Sequence, residues 1–216
     1  NAKIEDERGK LNLNDLAVNG NPIAKKTTIE RFKRLFAFVQ FSPDLVDAIV
    51  DWVDQDDQPE PAGAESLYYQ TLRPSYRAAN APLQTFLELR LIKGMTPEIM
   101  VKLSKLVTVY PSQGPSKVNL NTADPLVIQA LDAEITQSMA AAIVQARPLK
   151  NVSDLDNVAS AKETFARLRL PPVYDVKSDM FLARMTVKVN EVTRNAIVVL
   201  QRDENGTSTV QYLRIL

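Results

Sequence analysis

The apolar residues of this chain change their period once, and that change narrows the folds open to it. From about Ile29 to Val109 they recur at helical spacing. Ile29, Phe32, Leu35, Phe36 and Val39 share one face, and Leu45, Val46, Ile49, Val50 and Val53 form the next. Ser42 offers an N-cap there, Pro43 fits the first helical position and Asp44 suits the positive helix end. The same start device recurs at Thr96-Pro97-Glu98 and at Asp124-Pro125, so short, capped helices are expected from Ser42 to Arg147. Past Pro171-Pro172 the period becomes two. Phe181, Ala183, Met185, Val187 and Val189 alternate with Arg184, Thr186 and Lys188, which predicts a strand with that apolar set buried. Ala196 to Leu200 is a run of β-formers, Asp203-Glu204-Asn205-Gly206 signals a hairpin, and Thr207 to Leu216 alternates again. At the other end, Ile4 to Leu16 alternates Leu11 and Leu13 with Asn12 and Asn14, as a short strand or extended arm would. The fold class is therefore α+β: a helical part between an N-terminal strand and a C-terminal antiparallel meander. Three strands cannot bury both faces, so one must pack on something else.

No Lys or Arg lies between Arg34 and Arg73, and within that gap runs DWVDQDDQPEPAGAE, Asp51 to Glu65. Asp44, Asp47, Asp51, Asp54, Asp56, Asp57, Glu60 and Glu65 recur through it. Clustered carboxylates repel, and desolvating them is unfavourable without a counter-charge. The neighbouring elements are expected to supply no cation. Counted from Asp54, oxygen-bearing side chains fall at the first, third, fifth and seventh places (Asp54, Asp56, Gln58, Glu60), and Glu65 is the twelfth. Hard cations such as Ca²⁺ take six to eight oxygens from a loop that can curl around them. An EF-hand has Gly at the sixth place, and here Pro59 stands there, which cannot adopt positive φ. Two readings stay open: an irregular cation loop, or a helix end followed by a solvated Asp- and Pro-rich linker.

Composition removes other classes. Basic and acidic residues balance at 26 each, which argues against a general electrostatic grip on nucleic acid. There is no Cys and no His, hence no disulfide, no thiolate site, no His-based triad and none of the usual zinc ligands. The six Gly are scattered, and no apolar run is long enough to span a membrane. The chain opens at Asn1 without Met, as a fragment does. Asp56 and Asp57 have no His partner and no nucleophile motif beside them, so no enzyme is expected; a metal-dependent hydrolase on the acidic loop is the weakest class. Trp52, Tyr68, Tyr69 and Tyr76 are read as packing beneath that loop rather than as a ligand platform.

The alternative function is a helix-hairpin-helix DNA-binding module at Val118 to Val158, where VNLNTA, a capped helix, a short turn and a second helix precede Arg147. Such hairpins hold phosphate with a Gly-rich turn at a helix N-terminus. Here the turn is Asp132-Ala133-Glu134-Ile135-Thr136, without Gly and with two carboxylates. A packing hairpin is the better reading, with Arg147 in a capping or ion-pair role.

Three phrases together carry a family resemblance: GKLNLNDL (Gly9 to Leu16), DWVDQDDQPEPAGAESLYY with RPSYRAANAPLQTFLELRLIKGM (Asp51 to Met95), and VNLNTADPLVIQAL (Val118 to Leu131). Their order and spacing resemble component K of bacterial type II secretion systems, the large minor pseudopilin. The resemblance implies a pilin fold: a long N-terminal helix, missing from this chain, then an antiparallel sheet interrupted by a large all-helical domain. Residues 1–24 and 172–216 would form the pilin-like β part and 25–171 the insert. It further implies a calcium site, with Asp54, Asp56, Asp57 and Glu65 as the matching ligands. The implied role is to prime and cap the fibre at the pseudopilus tip with the other minor pseudopilins, components I and J with H below, and to meet secreted substrates. The implied location is the periplasm, on a protein anchored in the inner membrane only through the helix absent here.

Overall fold

The computed structural model describes residues 1–17, 22–111, 116–158, 161–168 and 172–215. Strand β1 (Ala2–Asp6) opens the chain, followed by a 3-10 turn over Glu7–Gly9, the two-residue strand β2 (Leu11–Asn12) and a second 3-10 turn, Leu13–Ala17. Helices α1 (Pro22–Phe38), α2 (Asp44–Val53), α3 (Ser66–Gln70) and α4 (Pro97–Leu103) come next, then β3 (Val107–Thr108) and β4 (Val118–Asn119). Helices α5 (Pro125–Ala130), α6 (Gln137–Gln145) and α7 (Lys162–Arg167) lead to β5 (Tyr174–Asp175). The chain closes with β6 (Met180–Val189), β7 (Val192–Arg202) and β8 (Ser208–Ile215). The α+β expectation holds, with two short parallel pairs, β2–β3 and β4–β5, among the helices.

The main sheet is antiparallel, in the order β1-β6-β7-β8. Its two hairpins turn where the backbone permits a left-handed residue: Asn190 (φ 54°) between β6 and β7, and Gly206 (φ 86°) between β7 and β8. The alternation in β6 identifies the strand but not its inner face. Met180 and Leu182, continued by Ile197, Val199 and Tyr212, pack on the helical part, whereas Val187 is exposed. The anticipated set lies on the opposite face, in the cross-strand rows Ile4–Ala183–Val198–Leu213 and Ala2–Met185–Ala196–Ile215. Both faces are thus apolar, which is why alternation alone could not choose between them. The helices cover one; on the other, Ile4, Val210, Leu213 and Ile215 stay exposed.

The opening is not one extended arm. Only 2–6 join the sheet, and Leu11, Asn12, Leu13 and Leu16 are all buried in the helical core. The reason lies in the asparagines. Asn14 Nδ2 donates to the carbonyls of Leu83 (2.9 Å) and Val109 (2.8 Å), and its Oδ1 accepts the Leu83 N–H at 2.7 Å. An amide side chain here replaces a backbone partner, which satisfies buried peptide groups that a strand could not reach.

The same device recurs in the second half. Asn121 Nδ2 donates to the carbonyls of Leu149 and Val176, both at 2.9 Å, and its Oδ1 accepts the Leu149 N–H at 2.8 Å. Each half then runs through a helix pair (α1–α2 and α5–α6) to a 3-10 turn with a carboxylate on its own N-terminus. Glu88 accepts the Thr85 N–H at 2.6 Å, and Asp154 accepts the Asn151 N–H at 3.0 Å. A further helix (α4 or α7) and a short parallel strand pair close each half. The helical part is therefore a structural repeat, Asn-Leu-Asn to Val109 and Asn-Leu-Asn to Val176.

The α5–α6 hairpin is a packing element. Arg147 is spent on carbonyls, Nε to Leu120 (2.7 Å) and Nη2 to Ala123 (2.6 Å). Asp132 and Glu134 in the turn pair with Arg167. Arg31 and Arg34 of α1 donate to the carbonyls of Leu131 and Ala130 at the C-terminal end of α5. Among the described residues no helix is long and apolar enough to cross a membrane.

Candidate metal centre

Asp47, Asp51 and Asp54 fall on one stripe of α2 and its C-cap, and all three are buried. They stay buried because they organise the loop that folds back over the helix. Asp51 Oδ1 accepts the Glu60 N–H at 2.9 Å, and Asp47 Oδ2 accepts that of Ala62 at 3.3 Å. From the other side, Lys93 Nζ donates to the carbonyls of Ala62 (3.1 Å) and Gly63 (3.0 Å). Loop and helix approach so closely that a Cβ on Gly63 would lie 1.9 Å from Asp51 Oδ2. Beneath lies the aromatic group expected there: Trp52 and Tyr69 meet edge to face at 5.2 Å, and Tyr69 stacks on Tyr76 at 5.2 Å.

This packing gathers Asp54, Asp56 and Glu65, the first, third and twelfth places of the run, with ligand oxygens within 4.8 Å of one another. Glu65 is only 5% exposed, and neither of its carboxylate oxygens has a hydrogen-bond partner. Asp54 Oδ1 and Asp51 Oδ2 are buried and likewise unpartnered. Burial pushes the Glu65 carboxyl up to about 7, helped by the charges of Asp51, Asp54 and Asp57. Burial likewise raises Asp51 to about 6, against hydrogen bonds from the Glu60 and Ala64 backbone. Asp54 is also raised by burial, which outweighs the pull of Lys25. The buried, unpartnered oxygens of Asp54 and Glu65, with the exposed Asp56 beside them, are unfavourable alone and fit a hard divalent cation. The donor set is oxygen only, which suits Ca²⁺ and not the softer transition metals.

The other anticipated positions are outside this trio, although the charge of Asp57 still acts on Glu65. Asp57 turns to Asn80, whose Nδ2 is 3.2 Å from its Oδ1. Gln58 is exposed and gives its N–H to Asp56 Oδ1 at 2.9 Å, and Glu60 faces Lys25 at 3.5 Å. Asp51 was not singled out by spacing; its position three residues before Asp54 on the same helical stripe is the signal that marks it. The expectation that no neighbouring element brings cations is corrected. Lys25 of α1 reaches Asp54 Oδ2 at 3.0 Å and Lys33 of α1 reaches Asp47 at 2.8 Å. Both come from a helix that precedes the run, beyond the reach of local sequence spacing.

Comparison with known proteins bears on the family of the chain. Two family models, both described as "Type II secretion system (T2SS), protein K", match residues 9–112 and 118–176. These spans coincide with the two halves of the repeat. Type II secretion system protein K of Klebsiella pneumoniae is 30% identical over 224 residues, covering 97% of this chain and 68% of that protein. The Aeromonas hydrophila protein of that name is 29% identical, covering 94% of this chain and 67% of its own length. For the Pectobacterium carotovorum protein, 29% identical, the figures are 76% and 54%. The chain thus spans between about half and two thirds of the length of these relatives. A crystal structure of the GspK-GspI-GspJ complex from the enterotoxigenic Escherichia coli type 2 secretion system superposes with a TM-score of 0.83. Identity is 22%, and the match covers 100% of this chain and 79% of that one. This chain belongs to the type II secretion system protein K family.

Proposed function

We propose that this chain is the globular part of a minor pseudopilin that sits at the tip of the type II secretion pseudopilus. In this reading it joins the other minor pseudopilins, components I and J, primes the fibre and caps it. The observation that carries the reading is the two-faced sheet. One apolar face holds the repeat of helices, and the other, with Ile4, Val210, Leu213 and Ile215 exposed, fits the long helix of a pilin fold. A filament of stacked pilin heads needs the space that this bulky helical part fills, so a subunit carrying it terminates the stack. The work is mechanical assembly and requires no bond chemistry. The domain works in the periplasm, on a protein held in the inner membrane.

We further propose that Asp54, Asp56 and Glu65 hold one Ca²⁺ as a structural ion, with Asp51 adding negative charge beside them. The ion would supply the positive charge that the buried Glu65 and the free oxygen of Asp54 lack, and fix the loop on α2. Extracellular calcium modules bind at ~10⁻⁴–10⁻³ M, and at a free ion level ~100 times the dissociation constant, binding adds about 2.7 kcal/mol of stability.

Mixing this chain with purified heads of components I and J and weighing the product by light scattering tests the assembly reading. A defined heteromeric mass is expected, and separate monomers at high protein concentration would overturn it. Melting in EDTA and in CaCl₂ tests the ion. Superimposable curves, with no metal by elemental analysis, would remove it.

A further inference from the structure

The acidic centre already contains a cation of its own. Lys25 stands in the first turn of α1, where a positive charge opposes the helix dipole and gains nothing locally. Its side chain is mostly buried and reaches across 29 residues of sequence to Asp54. The ammonium lies 3.0 Å from Asp54 Oδ2 and 3.5 Å from Glu60 Oε1. The other oxygen of the same carboxylate, Asp54 Oδ1, is buried and has no partner, and a carboxylate oxygen of Asp54 lies within 4.8 Å of oxygens of Asp56 and Glu65. One carboxylate is thus shared between an internal cation and an ion site. A divalent ion on Asp54 and an ammonium at hydrogen-bond distance from it repel strongly in a desolvated setting. Lys33 does not compete in this way, since its partner is Asp47, which lies outside the ligand trio.

We propose that Lys25 is a built-in competitor for the cation site. It neutralises Asp54 when no ion is bound and is displaced when one binds, so that ion occupancy releases the first turn of α1 from the acidic loop. The inference rests on the calcium reading given above. It makes the ion a switch on the start of α1 as well as a staple for the loop. It would also leave the acidic cluster part of its counter-charge when no ion is bound.

The test is calcium titration calorimetry on the whole chain, as wild type, Lys25→Met and Lys25→Arg. Lys25→Met removes the charge but keeps the stem, and should bind Ca²⁺ on the order of tenfold tighter, within the usual range of coupling between two sites. It should also melt lower than wild type in EDTA and no lower in CaCl₂. Lys25→Arg should bind as wild type does. Hydrogen exchange on the wild-type chain gives a second readout that needs no variant. Amides of residues 26–28 should exchange faster with CaCl₂, while those of the loop from Asp54 to Glu65 slow down. Equal affinity of wild type and Lys25→Met, with calcium bound in both, overturns the competitor role and leaves the site standing. Slower exchange of residues 26–28 along with the loop overturns it in the same way. If wild type takes up no calcium at all, the site and the competitor fall together.

Discussion

Replacing Gly63 by Ala tests the close approach of loop and helix from which the acidic centre is built. The new methyl carbon would lie 1.9 Å from Asp51 Oδ2, 2.6 Å from its Cγ and 2.9 Å from its Oδ1. Neither side yields easily. Asp51 is fully buried on α2 with Oδ1 holding the Glu60 N–H, and Lys93 grips the carbonyls of Ala62 and Gly63. Overpacking of this kind typically costs about 2 kcal/mol. Swinging Asp51 aside also breaks a hydrogen bond to a charged acceptor, about 2 kcal/mol more. For a chain of this size, roughly 4 kcal/mol lowers the melting temperature by roughly 8–16 °C. Scanning calorimetry in EDTA measures it. The companion change Asp51→Ala removes the atoms that the methyl strikes, so the double variant should be no less stable than Asp51→Ala alone, a clear departure from additivity. A melting temperature within ~2 °C of wild type for Gly63→Ala, or strict additivity in the cycle, would show that loop and helix are not locked together as described.

Other expectations follow from the same contacts. Asn14→Ala and Asn121→Ala should each lower stability by about 3 kcal/mol in urea titrations, since each leaves two carbonyls and one N–H without their partner. Without divalent ions, stability should fall as pH rises from about 4.5 to about 7. The raised Glu65 and Asp51 carboxyls let the folded state bind more protons than the unfolded chain in that window. Melting curves at pH 5 and pH 7 in EDTA check the sign, and a higher melting temperature at pH 7 would refute it. Arg147→Ala should destabilise by about 1–3 kcal/mol, because its carbonyl partners near α5 lose their donors. It should leave the response of a fluorescent DNA duplex unchanged, and a salt-sensitive anisotropy rise that vanishes in this variant would revive a nucleic-acid role for the hairpin.

What could be read from the residues follows the range of the forces involved. Helix starts at Thr96-Pro97 and Asp124-Pro125 were legible because a cap is a contact between near neighbours, and Thr96 and Asp124 do accept from the N–H groups of Ile99 and Leu126. The hairpin at Asn205-Gly206 was legible for the same reason. The inner face of β6 was not, since both faces of this sheet are apolar. Nor was the approach of Lys25 and Lys33 to the acidic run, which depends on how α1 packs on α2. The repeat stayed hidden because its halves share little beyond Asn-Leu-Asn and a Pro-Leu before each 3-10 turn; the rest of the likeness lies in hydrogen bonds. Asp54, Asp56 and Glu65 stood out as oxygen spacing, and Asp57, whose charge acts on Glu65, holds Asn80 instead of joining the trio.

The two halves of the repeat differ most in one connection. In the second, α6 reaches Leu149 after a few residues; in the first, α2 reaches Leu83 only after the whole acidic stretch and α3. The longer route is roughly tenfold the shorter, and closing a flexible loop of that relative length costs about 2 kcal/mol of chain entropy. Ion binding at a saturating level returns an amount of the same order. With the proposed calcium ion bound, the detour would be almost free thermodynamically, and without it a liability. A fold that already keeps one short version of the unit can carry a long version beside it, and under the proposed calcium reading only the latter would register the level of that ion.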